Sequence, residues 1–166
     1  MKHYLLALSF FIFALQAKAQ EPELPSIPAN GFAFPIGSKF SIKLIPVDSV
    51  NYDYSLLSIE QFDKTINYIK TDSLFARKGD PNTIDFCFCY GTFGDTEEEK
   101  EKNLKIVLFI KNHTGEMLEY TSEVQIEEGG EYLPVSNIGT YPAGIGKEIW
   151  PYMIYTIRLR EFRKME

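Results

Sequence analysis

The strongest constraint on this chain is a two-residue hydrophobic rhythm. Phe40, Ile42 and Leu44 alternate with Lys39, Ser41 and Lys43, the pattern of a strand with one buried and one wet face. Pro46 ends that strand, and Tyr52, Tyr54 and Leu56 suggest a second. Thr83–Tyr90 (TIDFCFCY) is apolar on both faces, which marks a central strand. Leu104–Ile110, Met117–Ile126 and Glu131–Val135 follow. The last strand places Met153, Tyr155, Ile157 and Leu159 on one face and Thr156, Arg158 and Arg160 on the other. Turn residues at Gly79–Asn82, Asn112–Gly115 and Gly129–Gly130 separate these runs. About seven strands result, so the expected fold class is all-β: an immunoglobulin-like two-sheet sandwich, with an open β-barrel as the alternative.

The run Asn112-His113-Thr114-Gly115 predicts a hairpin with a three-residue loop and Gly115 in the left-handed region. Its register sets Ile110 against Leu118, Leu108 against Tyr120, Ile106 against Ser122 and Leu104 against Val124. Lys105 then faces Glu123 on the wet side. Ser58–Phe75 reads as an irregular crossing segment, with Ile59, Phe62, Ile66 and Ile69 at helical spacing and Thr65–Ile69 also strand-like. Asp95–Asn103 is either one short surface helix or a mobile loop. Thr96 with Glu99 three residues later has the form of a capping box.

Ahead of this domain, Met1–Tyr4 is a short basic start. Leu5–Leu15 is an eleven-residue apolar stretch, and Ala17-Lys18-Ala19 has the small-x-small form of a cleavage site. Eleven residues of helix span about 16 Å, roughly half a bilayer core. Residues 1–19 are therefore read as a signal peptide cleaved near Ala19, residues 20–36 as a Pro-rich extended leader, and residues 37–166 as one β-sandwich domain. No later segment is long and apolar enough to span a membrane. The expected location is periplasmic or extracellular.

Charge narrows the partners. The full chain carries −6 and the mature chain −8 over 147 residues, which argues against a nucleic-acid module. Asp95–Glu131 concentrates the acidity and is where a cationic partner is expected, whereas the last twenty residues are mildly basic.

The chemistry-bearing residues mostly take structural readings. Cys87 and Cys89 are two apart on a strand, a geometry that opposes a disulfide between them, so they are read as buried structural thiols. His113 is the mature chain's only histidine and reads as a solvated turn residue. No catalytic base is thereby left for a cysteine or serine nucleophile. Asp48, Asn51 and Asp53, and Asp95 with Glu97–Glu99, are oxygen-rich but lack the spacing of a calcium loop. Neither a metal nor a cofactor is expected. Asn112-His113-Thr114 matches a glycosylation acceptor on an exposed turn, and turn chemistry is taken as its reason. The loop Asn137–Gly146, with Tyr141 and the following Trp150 and Tyr152, is the expected binding surface. Glycines allow close backbone approach there and aromatics act as anchors. Alternatively, Trp150 plugs the core.

The Ala-Lys-Ala-Gln signal ending, the Lys111–Gly115 turn and the run Trp150-Pro151-Tyr152-Met153 before the last strand resemble small uncharacterised exported bacterial β-sandwich proteins. That resemblance implies an immunoglobulin-like fold and no catalytic residues. The expected function is a non-catalytic exported binding or accessory module, with an unknown protein or cell-envelope ligand as partner. A small carboxylate- or cysteine-dependent hydrolase, and a structural subunit associating by strand addition, are the alternatives.

Overall fold

The computed structural model describes residues 24, 25 and 27–165; the expected signal peptide and its cleavage site lie outside the described residues. Among the described residues the chain is all-β apart from one short helix. Ten strands follow one another: β1 (Gly31–Pro35), β2 (Ser38–Pro46), β3 (Asn51–Gln61), β4 (Ile66–Asn67), β5 (Thr83–Thr92), β6 (Lys105–Asn112), β7 (Leu118–Gln125), β8 (Leu133–Val135), β9 (Ile145–Trp150) and β10 (Thr156–Lys164). The helix α1 (Glu97–Lys102) lies between β5 and β6. Three of these strands were not among the expected seven. β1 falls in the stretch read as leader, β4 in the crossing segment, and β9 in the run after the glycine-rich loop.

The strands form one hydrogen-bonded path, β8-β7-β10-β3-β2-β5-β6-β9, curled into a half-barrel. β1 joins the side of β10, and β4 pairs with β5 in parallel. The main core fills the concave side. Phe40, Ile42 and Leu44 of β2 enter it as their alternation requires, together with Ile84, Phe86 and Phe88 of β5 and Ile106, Leu108 and Ile110 of β6. Stacked aromatics run through it: Phe34 on Phe40 at 3.6 Å between ring centroids, then Phe40 on Phe86 at 5.0 Å. The Tyr54 hydroxyl, fully buried, accepts from the Phe32 amide and donates to the Leu159 carbonyl. It thereby pins β3 to β1 and β10.

β5 is central, between β2 and β6. Its second apolar face explains the double-sided sequence. Cys87 and Cys89, with Val107 and Phe109 of β6, form a smaller core on the convex side. The crossing segment covers that core with Phe62, Ile66, Tyr68, Leu74 and Phe75. It contains β4 and turns but no helix among the described residues, and β3 runs on through Ile59 to Gln61.

The expected hairpin is not formed. β6 pairs with β5 and β9, whereas β7 pairs with β10 and β8. Asn112–Gly115 therefore arches across the core from one arm of the sheet to the other, and Gly115 is not among the positive-φ glycines. Lys105 lies opposite Gly91, and Glu123 lies opposite Arg158. The faces are nevertheless those of the alternation, because Leu118, Tyr120, Ser122 and Val124 all point inward.

The last strand also differs from its expected phase. Ile154 rather than Tyr155 is buried, and regular pairing begins at Thr156. A bulge between Arg160 and Arg163, with Glu161 at φ 58°, then shifts the rhythm so that Phe162 points inward after Leu159. One extra residue in a bulge exchanges the two faces downstream of it. The helix α1 carries the expected capping box. The Thr96 side chain accepts from the Glu99 amide, and the Glu99 carboxylate accepts from the Thr96 amide.

Candidate functional site

The crossing segment does more than cover the convex core. Where it passes β6 and β9 it leaves an open cleft of about 440 Å³, lined by Thr71, Asp72, Phe75, Ala76, Arg77, Lys111, Ala143, Ile145 and Lys147. Strand geometry places the two lysines. Lys111 on β6 lies opposite Ile145 on β9, and Lys147 is two residues further along β9. They thus project from the same face as diagonal neighbours, about 7–8 Å apart at Cα. Each ammonium is steadied by a carbonyl: Lys111 Nζ donates to Ala143 O and Lys147 Nζ to Tyr68 O, both at 2.6 Å. Arg77 adds a third cation from the crossing segment. None of the three is in a salt bridge among the described residues. Among the described residues, Asp72 is the only acid in the lining.

The residues expected from sequence to form a binding surface are not brought together. Tyr141 and Tyr152 are both exposed, but they lie beyond opposite ends of β9. Trp150 is 7% exposed and belongs to the main core. A contact anchor must reach solvent, so Trp150 takes the core-plug alternative. The loop itself is stitched down by bridges from Thr140 to Leu118 and from Pro142 to Asn112. Its Ala143 becomes the rim of the cleft.

His113 is not solvated. Its side chain is 4% exposed, and Nε2 lies 2.8 Å from Asp85 Oδ2. A side-chain carbon at Gly79 would stand 2.7 Å from the ring, so the turn at Gly79 closes over the imidazole because it has none. The other oxygen of Asp85 accepts from Ser41 Oγ at 2.6 Å. The carboxylate thus stands between hydroxyl and imidazole, whereas a nucleophile needs its base directly beside it. Asn112, expected on an exposed turn, is buried, and its amide donates to Glu116 O at 2.9 Å.

Cys87 and Cys89 are buried and free, their sulfurs 3.7 Å apart. Regular pairing of β5 with β6 runs through both. The hydrogen bond that Cys87 donates to Cys89, together with burial, holds the Cys87 thiol well above the usual range, the opposite of what a reactive thiolate requires. Asp48 caps its own turn, accepting from the amides of Val50 and Asn51 at 2.8 and 2.7 Å.

One buried acid was not singled out in the sequence. Glu148 on β9 is 8% exposed; it accepts from the Tyr120 hydroxyl of β7 through Oε1, and its Oε2 has no partner among the described residues. Burial raises its carboxyl to about 7, against the smaller lowering effect of the tyrosine hydrogen bond. Its periodicity signal was an inward position between Gly146 and Trp150. The cleft had no comparable signal, because Arg77, Lys111 and Lys147 are scattered over seventy residues.

No protein-family model matches the chain, and no curated protein or solved structure matches it at a significant level.

Proposed function

We propose that this protein is an exported, non-catalytic binding module, and that its working site is the convex cleft between the crossing segment and β6–β9. The observation that carries this reading is the construction of the cleft. A separate layer of chain is laid over the outer face of the sheet, and the opening left at its edge presents polar groups without a nucleophile–base pair beside them. Pockets that combine an apolar lining with a few convergent polar groups are the usual form of a ligand site. The hydrolase alternative has less support: His113 and Ser41 are both bonded to Asp85, both cysteines are buried, and the Cys87 thiol is held above its usual range.

Export rests on the sequence of residues 1–19, and the resemblance to small exported bacterial β-sandwich proteins belongs to the same proposal. So does the finer fold type. Both arms of the sheet contribute to one core, as the layers of an immunoglobulin-like sandwich do. The unbroken strand path and the Tyr120–Glu148 contact between its end regions favour the open-barrel alternative.

The test has two parts. Amino-terminal sequencing of protein recovered from the cell envelope or medium should begin near Gln20. A thermal-shift screen of that protein against sugars, organic acids and short peptides should find stabilising ligands, since a ligand bound to the folded state raises the melting temperature. Ala76→Trp, which fills the cleft from its exposed rim, should abolish those shifts without lowering the melting temperature of the free protein. Turnover of an ester, peptide or glycan that is lost in His113→Ala or Cys87→Ser would overturn the non-catalytic reading.

A further inference from the structure

Resting on the reading of the cleft as a binding site, we infer that its ligand is a small organic oxyanion: a carboxylate or phosphate head attached to an apolar body. The charge argument comes first. In a chain of net charge −6, Arg77, Lys111 and Lys147 meet Asp72 alone, so the lining is locally positive by two. Like charges on neighbouring strands of one sheet face are unfavourable. Along β10 such cations are matched: Arg163 meets Glu119, Arg158 meets Glu123, and Lys164 meets Glu116, at 2.6, 2.6 and 2.9 Å. At the cleft the compensating carboxylates are missing from the described residues, and an anionic ligand supplies what they would.

The geometry favours the same occupant. The carbonyls of Ala143 and Tyr68 each take one proton of a lysine ammonium. Two donors remain on each, already held in place, which reduces the ordering needed on binding. Arg77 can add a forked contact to two oxygens of one head group. Phe75, Ala76, Ala143 and Ile145 supply apolar lining beside these charges. A bare inorganic ion would leave that surface uncovered, whereas a ligand with an apolar body covers it.

The experiment is isothermal titration of the mature chain with benzoate, phenyl phosphate, inorganic phosphate and the neutral benzyl alcohol. Benzoate or phenyl phosphate should bind, and whichever binds more tightly identifies the head group. Inorganic phosphate should bind more weakly and benzyl alcohol not measurably. Raising the salt should weaken binding, because the cleft is open and its charges are screened. The double variant Lys111→Met/Lys147→Met keeps the aliphatic stems and removes the charges. It should lose affinity by about tenfold or more, while Lys43→Met on β2 leaves affinity unchanged. Circular dichroism and the melting temperature verify that each variant is folded. Equal binding of benzyl alcohol, undiminished binding in the double variant, or no binding of any anion would overturn the inference. In each case a neutral ligand blocked by Ala76→Trp would leave the binding-module reading standing.

Discussion

At the scale of single residues, Glu148 has the clearest consequence. Its carboxyl is raised to about 7 in the folded chain, with burial as the cause, from an ordinary value of 4.5. Tyr120 is the titratable group bonded to it, and burial, then the nearby carboxylate, push that phenol well above its own usual range. The folded state therefore holds a proton that the unfolded chain releases between these two values. The stabilisation linked to it is fully present below pH 4.5 and is lost as pH rises through 7. The shift corresponds to about 3 kcal/mol. Urea unfolding of the mature chain should show stability declining by that order between pH 4.5 and 8, and Glu148→Gln should flatten the decline. An equal slope in the variant would assign the dependence to other groups. The inward position of Glu148 was readable from the rhythm of β9, but the absence of a partner for Oε2 depends on which side chains the fold places around it. His113 is the opposite case. A turn sequence suggested solvent, yet the side chain is covered because Gly79, thirty-four residues earlier, closes over the ring.

At the scale of elements, facing and pairing separate. Alternation specified the inward residues of β2, β5, β6 and β7, because a side chain's face follows from the pleat of its own strand. Pairing did not follow from adjacency. β6 and β7 turned out to belong to opposite arms, joined by an arch at Asn112–Gly115 rather than a hairpin. This explains the fate of the acidic stretch Asp95–Glu131. The terminal strand β10 lies against β7, and its Arg158, Arg160, Arg163 and Lys164 engage Glu123, Glu119 and Glu116. Three acids of the stretch expected to attract a cationic partner, Glu116, Glu119 and Glu123, are thus met by the chain's own mildly basic end. A double-mutant cycle checks the pairing. Glu123→Ala with Arg158→Ala should give a coupling of about 0.5–1 kcal/mol, typical of a surface ion pair. Glu123→Ala with Lys105→Ala should give none. Coupling in the second cycle instead of the first would restore the hairpin register.

At the scale of the whole molecule, the main strand path ends, among the described residues, at β8 and β9, while β1 and β4 are each paired on one side only. β8 is three residues long and contains Pro134, which lacks an amide to offer. β9 is longer, but Glu148 ties it inward to Tyr120 of β7, and Lys147 stands on its outer face. Charged and proline-bearing edges resist strand addition. Light scattering of the mature chain should accordingly give one chain's mass at all concentrations. A mass that grows with concentration, and falls back when Ile149 is replaced by proline, would favour the strand-adding subunit instead.

The sequence by itself determined that the chain is all-β, which residues of β2, β5, β6 and β7 face inward, that β5 is covered on both sides, and that Thr96 and Glu99 have the form of a capping box. These properties are local, since they depend on pleat, propensity and side-chain hydrogen bonds within a few residues. The tertiary structure decided which strands pair, where the bulge in β10 exchanges its faces, and that Arg77, Lys111 and Lys147 meet at one cleft. Backbone hydrogen bonds are nearly the same whatever residue makes them, so the choice of neighbour is left to packing of the whole core. The site exists only where that packing brings a distant segment across the sheet.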